Sequence, residues 1–442
     1  MPAQRTEQGQ PHPDLSIATE PNDIEAVPTL LREITEAYDA FTTSNAGRDD
    51  LLAKCRTLVQ ALETPRETMI YHCWAHASTP PFPLCLVDSI GLTGRQTGVM
   101  AGLNFGVDSG LWELMAQGGD KSQKVGELAD KLGIDPVLLS RLLRHLSATG
   151  YLIETGVDEY QLTNYMKAMS IPAIGNSYLA MLSCTSAGPM RFHEFSRKRG
   201  WVNPNNAKDT ALMYAYGTTM DTFTWQQSLG YGSHFSDHMS GYALGSLPWM
   251  APSFYSVKER LIDGADTDPD APFLVDIGGN VGRDLELFHK FHPKVPGKLI
   301  LQDLPVIIGQ IQDLESSILR IEYDFHTKQP VTGARAYYLH NCLHDWPDEV
   351  CESILAQVKA AMKHGYSRLL IHEHVIPETA ASWEATALDM VMLTLMSAQE
   401  RTRTAWYDLI ETRAGLTINK IWNGGKGSQS LIECELSFDS AI

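Results

Sequence analysis

From Asp23 to about Ala116 apolar residues return every three or four positions, as in Ile24-Glu-Ala-Val-Pro-Thr-Leu-Leu31 and Leu51-Leu-Ala-Lys-Cys-Arg-Thr-Leu-Val-Gln-Ala-Leu62. That spacing keeps one stripe of a helix apolar, so this region predicts amphipathic helices, separated by loops at Ser44–Asp49 and Thr79–Pro83. Between Val99 and Met115 the apolar residues occupy more than one face, which is more than a solvated helix needs. Either core between two domains or a subunit interface would cover the second face. Lys124–Ile153 then reads as helix, Gly-containing turn and helix, and Tyr151–Thr163 fits a small wing behind it.

The period changes near residue 272. Phe273-Leu-Val-Asp-Ile277 is a short unbroken apolar run with one acid, the pattern of a strand covered on both faces, and it breaks into Gly278, Gly279 and Gly282. A helix over Arg283–Phe291 follows, then a second strand, Lys298-Leu-Ile-Leu-Gln-Asp-Leu-Pro305, with Asp303 at its carboxyl end. Further strands are predicted over Ala336–Leu343 and over Ser367–Val375, the latter with Glu373 near its end. Strands alternating with helices predict a parallel, doubly wound sheet whose ligand lies along the carboxyl edge. Between the two regions, Ile171–Tyr255 is rich in Met, Phe, Tyr, Trp and Gly, a composition that suits either ordinary core or a cover over that edge, and Asp263–Pro272 reads as a polar linker.

Length and charge narrow the classes. A chain of 442 residues exceeds one compact core and predicts two folding units, or one catalytic domain with a large helical attachment. With 35 basic and 53 acidic residues the net charge is -18, which repels nucleic acid and anionic membrane surfaces. The second helix of the Lys124–Ile153 pair carries Arg141, Arg144 and His145, but no further basic stripe accompanies them, so DNA is not an expected partner. Seven cysteines without a C-x-x-C pair argue against a disulfide framework and a zinc site and suit a reducing, cytoplasmic location. Met1–Asn22 has no apolar core, so it is read as a disordered start rather than a signal peptide or anchor, and no run of eighteen apolar residues predicts a membrane span.

The glycine turn has the spacing G-G-x-x-G, which is neither the dinucleotide fingerprint G-x-G-x-x-G nor a P-loop, since no Gly-Lys-Ser/Thr follows. By itself it indicates only that backbone can approach a ligand closely. Six segments taken together say more: Leu-Val-Asp-Ile-Gly-Gly from Leu274, Gln-Asp-Leu-Pro from Gln302, Tyr-Asp-Phe from Tyr323, Leu-His-Asp-Trp-Pro-Asp-Glu from Leu343, His-Glu-His-Val-Ile-Pro from His372 and Gln-Glu-Arg-Thr from Gln399. In order and spacing this series resembles the plant and fungal small-molecule O-methyltransferases of the caffeic-acid type, in their fungal branch, over about residues 230–442.

The resemblance implies an α/β class I methyltransferase, a Rossmann-like doubly wound sheet, with an N-terminal all-α winged-helix dimerisation domain. The expected division is 1–22 disordered, 23–255 helical dimerisation and substrate cover, and 256–442 catalytic. The implied cofactor is S-adenosyl-L-methionine (SAM), the implied partner a second copy of the chain docked through the amino-terminal helices, and the implied substrate a small molecule. Carried over residue by residue, Gly278 meets the methionine end of the cofactor, Asp303 the ribose hydroxyls and Leu304 the adenine, with Asp324 and Phe325 flanking the adenine. His340 stands where the plant enzymes usually carry Lys, and Asn280 replaces a third glycine frequent in the family. Phe235 and Met239 match a Phe-x-x-x-Met element of the acceptor wall, and Met392 and Met396 match further wall positions.

The methyl group of a sulfonium is already activated, so the protein must align an acceptor oxygen and remove its proton. His344, just past a strand end, has the residue type for that work, because an imidazole with an ordinary pKa of about 6.5 accepts protons near neutrality. Glu373 and Glu400 match the flanking acids that orient the family's base. No metal is expected, since both acids serve His344 and no clustered carboxylate site is foreseen. His340, four residues before His344, is expected on the same face of one strand and exposed to solvent. The implied activity is O-methylation of a phenolic, enolic or polyketide-derived hydroxyl. The alternative keeps the fold and SAM but catalyses dehydration or pericyclic ring closure of a pyridone-type metabolite without methyl transfer, as some fungal members do.

Overall fold

The computed structural model describes residues 14–40, 45–75, 88–424 and 429–437, and the chain divides into two compact units, Met1–Cys184 with Gln226–Gly245 and Thr185–Trp225 with Ser246–Ile442. The chain passes between the units three times, where the resemblance implied a single boundary after 255. The expected disordered start falls largely on residues 1–13, outside the described residues, and within its remainder Leu15–Ala18 forms a 3-10 turn capped by Asp14.

The first unit is mainly helical, with helices at Val27–Ala40, Asn45–Leu62, Asp88–Asp108 and Leu111–Gln117. Of the loop foreseen at Ser44–Asp49, residues 45–49 are helical, since the second helix begins at Asn45, and Ser44 lies outside the described residues; polar residues without periodicity mark a loop and a first helical turn alike. The loop foreseen at Thr79–Pro83 lies outside the described residues. Helix Val125–Leu132 ends on Gly133 at φ 68°, and helix Pro136–Ala148 begins where the Asp135 carboxylate accepts the amides of Val137 and Leu138. Strands Leu152–Gly156 and Glu159–Leu162 form the hairpin behind them, and Gln123–Lys124 adds a third strand. Leu128, Leu139, Leu143 and Leu146 are buried, as the apolar spacing of these helices requires.

The second unit is built on a seven-stranded sheet: β1 (Pro272–Ile277), β2 (Lys298–Asp303), β3 (Ile318–Glu322), β4 (Ala336–His340), β5 (Arg368–Glu373), β6 (Leu416–Asn423) and β7 (Ser430–Leu436). The order is β6-β7-β5-β4-β1-β2-β3, and β7 alone among these seven runs opposite to the rest. The chain enters in the middle at β1, moves out to β3, then returns to β4 on the other side of β1. The carboxyl ends of β1 and β4 therefore flank a topological switch point, where such sheets bind ligands.

The alternation of side chains within the strands distributes them over two cores. Tyr337 and Leu339 join Val275, Ile277 and residues Ile354, Leu355 and Val358 of α2 (Asp348–Ala361) on one face. Ala336 and Tyr338 join Leu274, Leu370 and residues Leu285 and Phe288 of α1 (Arg283–Phe291) on the other. With both faces covered, the central strands must read as continuous apolar runs, which is why β1, β2, β4 and β5 were visible in the sequence. β3 was not: it is an edge strand in which only Ile318 is fully buried, and Arg320 and Glu322 break its pattern. The β6–β7 hairpin also went unforeseen.

Candidate active site

The turn after β1 needs the glycines it has. Gly278 sits at φ 72°, and a Cβ there would lie 2.9 Å from Cys342 Sγ and 3.7 Å from the Phe325 ring. Asn280, in place of a third glycine, is also left-handed at φ 53°, a conformation Asn tolerates better than most residues. Its amide donates to Asp303 Oδ2 at 2.8 Å, and the amide of Leu304 donates to Oδ1 at 2.7 Å, so Asp303 joins the glycine turn to the end of β2. Burial pushes the Asp303 carboxyl up to about 6, against the lowering effect of those two amides. Leu304 is 46% exposed beyond it. Asp324, past β3, is exposed and its Oδ1 accepts the His326 amide, while half-buried Phe325 meets the edge of Trp346. Gly278, Asp303, Leu304, Asp324 and Phe325 therefore lie at the carboxyl ends of three adjacent strands; the ends of β1 and β2 were expected there, whereas the strand before Asp324 was not. Beneath the turn Asp276 is 1% exposed with no partner for either oxygen among the described residues, and burial pushes its pKa well above the usual carboxylate range.

His340 is neither exposed nor on one strand face with His344. β4 ends at His340, Asn341 turns the chain at φ 52°, and Leu343–Asp345 is a 3-10 turn. His340 Nδ1 donates to Asp284 Oδ2 of α1 at 2.6 Å and Nε2 donates to Gln429 Oε1 at 2.9 Å. The Gln429 amide nitrogen donates to Asn341 Oδ1, which leaves its oxygen toward the imidazole. In this orientation both ring nitrogens face acceptors, an arrangement that favours the protonated ring. Burial opposes that charge, but Asp284 and Gln429 raise the His340 pKa above its ordinary value. Burial likewise opposes the Asp284 charge, and His340 with Tyr338 holds that carboxyl below its usual range. His372, held neutral chiefly by burial, stacks on His340 with ring centres 4.3 Å apart.

The 3-10 turn after β4 delivers His344 into a nest of acids. Nδ1 donates to Glu400 Oε1 at 2.5 Å and lies 3.6 Å from Glu373 Oε2, while Nε2 lies 3.5 Å from Asp345 Oδ1. Glu373 Oε1 accepts the amides of Cys342 and Leu343, both at 2.9 Å, so β5 fixes the turn that carries the imidazole. Glu400 is placed by a two-residue parallel pairing in which Arg401 and Thr402 lie beside Val375 and Ile376, and its own amide donates to Asp389 Oδ1 of α3 (Trp383–Met396). Burial alone would depress the His344 pKa; Glu373, Glu400 and Asp345 reverse this and hold it up at about 10. The resting side chain is therefore an imidazolium. Burial raises Asp345 to about 7 and raises Glu400 above its usual range, and one oxygen each of Glu373 and Glu400 has no hydrogen-bond partner among the described residues.

The acids do cluster, contrary to expectation: one ligand-type atom from each of His344, Glu373 and Glu400 falls within 4.8 Å of the others. A cation taking those atoms would have to displace the Nδ1–H bond to Glu400. Of the expected acceptor-wall residues, Met392 is buried and Met396 half-buried on α3 in the second unit, whereas Phe235 and Met239 are half-buried on helix Gly232–Tyr242 of the first. Sequence reasoning missed Asp284, Asp389 and Arg401. Arg401 had one signal, its position next to Glu400; the other two are helical acids indistinguishable in pattern from solvated ones.

Residues 257–417 match the family model described as the O-methyltransferase domain. The chain is 31% identical over 411 residues to O-methyltransferase mfmE of Annulohypoxylon moriforme, covering 92% of this chain and 96% of that protein. It is likewise 31% identical to O-methyltransferase mpaG of Penicillium roqueforti, covering 93% and 99%. Among solved structures it is similar to LepI in complex with SAM, at 26% identity and TM-score 0.72 over 93% of this chain and 99% of that one. It is similar to OxaC in complex with sinefungin and meleagrin at 25% identity and TM-score 0.71 over the same shares.

Proposed function

This chain belongs to the fungal SAM-dependent O-methyltransferase family, and on that premise we propose that it methylates a hydroxyl of a small phenolic, enolic or polyketide-derived metabolite, with His344 as the base. The residues at the sheet edge fit the cofactor. Gly278 leaves room that any side chain would fill, Asp303 keeps free lone pairs beyond its two amide bonds, and Leu304 and Phe325 offer apolar surface for a flat base. When bound, SAM supplies a sulfonium-activated methyl group.

The observation that carries the reading is the 2.5 Å bond from His344 Nδ1 to Glu400. It fixes the tautomer, so that a neutral ring presents Nε2 as its basic nitrogen and accepts the hydroxyl proton there. Glu373 and Glu400 then stabilise the imidazolium that forms, a reading supported by their charges being those that raise the His344 pKa against its burial. The same stabilisation means that the resting ring must release a proton before it works as a base, and a positively charged cofactor nearby favours that release. His340 is proposed to act at the methionine end of the cofactor site by keeping Asp284 ionised, and Phe235, Met239, Met392 and Met396 to shape the acceptor. Two copies associate through the amino-terminal helices in this reading.

The test is incubation with candidate hydroxylated metabolites and SAM, following S-adenosylhomocysteine and methylated product in equal amounts. His344→Gln should lower kcat by about 100- to 10,000-fold; unchanged turnover would remove His344 from the mechanism. A second reading is favoured by one observation, the likeness to a solved structure described as a pericyclic reaction enzyme, at 26% identity and TM-score 0.71. Substrate rearranged or dehydrated while SAM persists would select that reading.

A further inference from the structure

We propose that Arg401 is the positioning residue of this site: its guanidinium grips the backbone on both sides of His344 and sets the imidazole against Glu400. The proposal rests on the reading of His344 as the base. Arg401 is 1% exposed, which is costly for a cation unless its donors are met. They are met by the turn that carries His344: Nη1 donates to the Leu343 carbonyl at 2.9 Å and Nη2 to the Trp346 carbonyl at 2.9 Å, the two carbonyls that bracket His344 and Asp345. Nε and Nη2 also donate to Asp348 Oδ1, at 3.0 and 2.8 Å, in the first turn of α2. The guanidinium lies 5.3 Å from the centre of the Trp406 ring, and the Trp406 indole N–H donates to the His374 carbonyl, one residue past Glu373.

Three further facts make this more than a buried ion pair. Glu400 and Arg401 are consecutive, so one peptide unit carries both the carboxylate on Nδ1 and the cation under the turn. Arg401 pairs with Val375 in the short parallel bridge, which ties that peptide unit to the end of β5, where Glu373 holds the other side of the same turn. The turn itself has little of its own to hold it, being a three-residue 3-10 segment after the left-handed Asn341. A planar fork can span the Leu343 and Trp346 carbonyls together; the three donors of an ammonium radiate from one point and cannot.

The experiment compares kcat, KM for SAM and KM for the acceptor in full-length wild type, Arg401→Lys, Asp348→Asn, His344→Gln and the His344→Gln/Arg401→Lys double variant. Arg401→Lys is expected to lower kcat about 10- to 100-fold, the size of a misplacement near 1 Å, with the KM for SAM within about threefold. Asp348→Asn, which weakens the charged anchor of the guanidinium without touching the His344 turn, is expected to lower kcat about threefold with the KM for SAM unchanged, and serves if the Lys variant folds poorly: a wild-type kcat there overturns the proposal. In the His344→Gln background, Arg401→Lys should add less than about threefold, because a residue that acts through the imidazole has nothing left to position. A full kcat in Arg401→Lys, or the same loss repeated in the double variant, overturns the proposal while leaving the base intact. If His344→Gln alone keeps wild-type kcat, it is the base assignment that falls.

Discussion

Glu373 divides its carboxylate between two tasks, accepting the amides of Cys342 and Leu343 with one oxygen while the other lies 3.6 Å from His344 Nδ1. Substitutions separate the two. Glu373→Gln keeps an acceptor for the amides and removes the charge, so the protein should stay folded, with kcat reduced about tenfold. Glu373→Ala leaves two buried amides unsatisfied and should cost about 3 kcal/mol of stability in denaturant unfolding. Equal unfolding midpoints for the two variants would show that the amide bonds contribute nothing.

The His344 environment sets a pH signature. Its folded pKa, raised to about 10, lies above the ordinary 6.5, so its contribution to stability is complete below about pH 6.5 and is lost as pH rises through about 10. In the proposed mechanism activity runs the opposite way, since the neutral ring acts as the base: kcat/KM should climb with pH toward about 10. Glu400→Gln removes one of the supporting charges and should move that limb to lower pH while lowering the plateau. SAM binding, measured by calorimetry in buffers of different ionisation enthalpy, should release protons, and binding of the uncharged-sulfur product should release fewer. A limb that stays in place in Glu400→Gln would contradict the coupling of the two groups.

Much of this arrangement was legible because burial on both faces forces strands such as Phe273–Ile277 to read as apolar runs, and glycines at a strand end mark close approach. His344, Glu373 and Glu400 are 56 residues apart at most, yet each falls at a strand end or beside a short bridge, where motif spacing could find it. Ile318–Glu322 and the β6–β7 hairpin escaped for a different reason. At a sheet edge, as in β3 and β6, an exposed face permits charges and the pattern dissolves; β7 lies inside the sheet with residues 430–434 buried, and there Ser430, Glu433 and Glu435 interrupt the apolar run. The charge state of His340 was illegible too, since it depends on Asp284 and on Gln429, whose orientation is fixed by a third side chain.

The His340–Asp284 pair predicts a charge requirement rather than a shape requirement. His340→Phe keeps a ring to stack on His372 but leaves the Asp284 carboxylate only the neutral Tyr338 hydroxyl in place of a cation, and should weaken SAM binding about tenfold, a loss near that of a partly buried charge-assisted bond. His340→Lys restores a cation and should recover most of the affinity. Equilibrium dialysis with SAM distinguishes the outcomes; equal binding by the Phe variant would show that the pair does not reach the cofactor.

The cluster of His344, Glu373 and Glu400 makes a definite statement about metals as well. Because Nδ1 is already bonded to Glu400, methyl transfer should survive exhaustive chelation with rates unchanged within about twofold. Added zinc should inhibit, reversibly on chelation, by taking the imidazole and carboxylates it prefers. Loss of activity on chelation, restored by a particular ion, would replace the base mechanism with a metal-assisted one.

The two-residue bridge between Val375–Ile376 and Arg401–Thr402 closes a long excursion of the chain at its neck. The segment between, including α3 with Met392 and Met396, starts and ends at that point. Three of its residues are tied to the His344 turn: Glu400 itself, Asp389, which accepts the Glu400 amide, and Gln399, which donates to Asp348. On the proposed placement of Met392 and Met396, a lineage that keeps those three and varies the rest of the segment would take new acceptors by drift while its reaction stays the same.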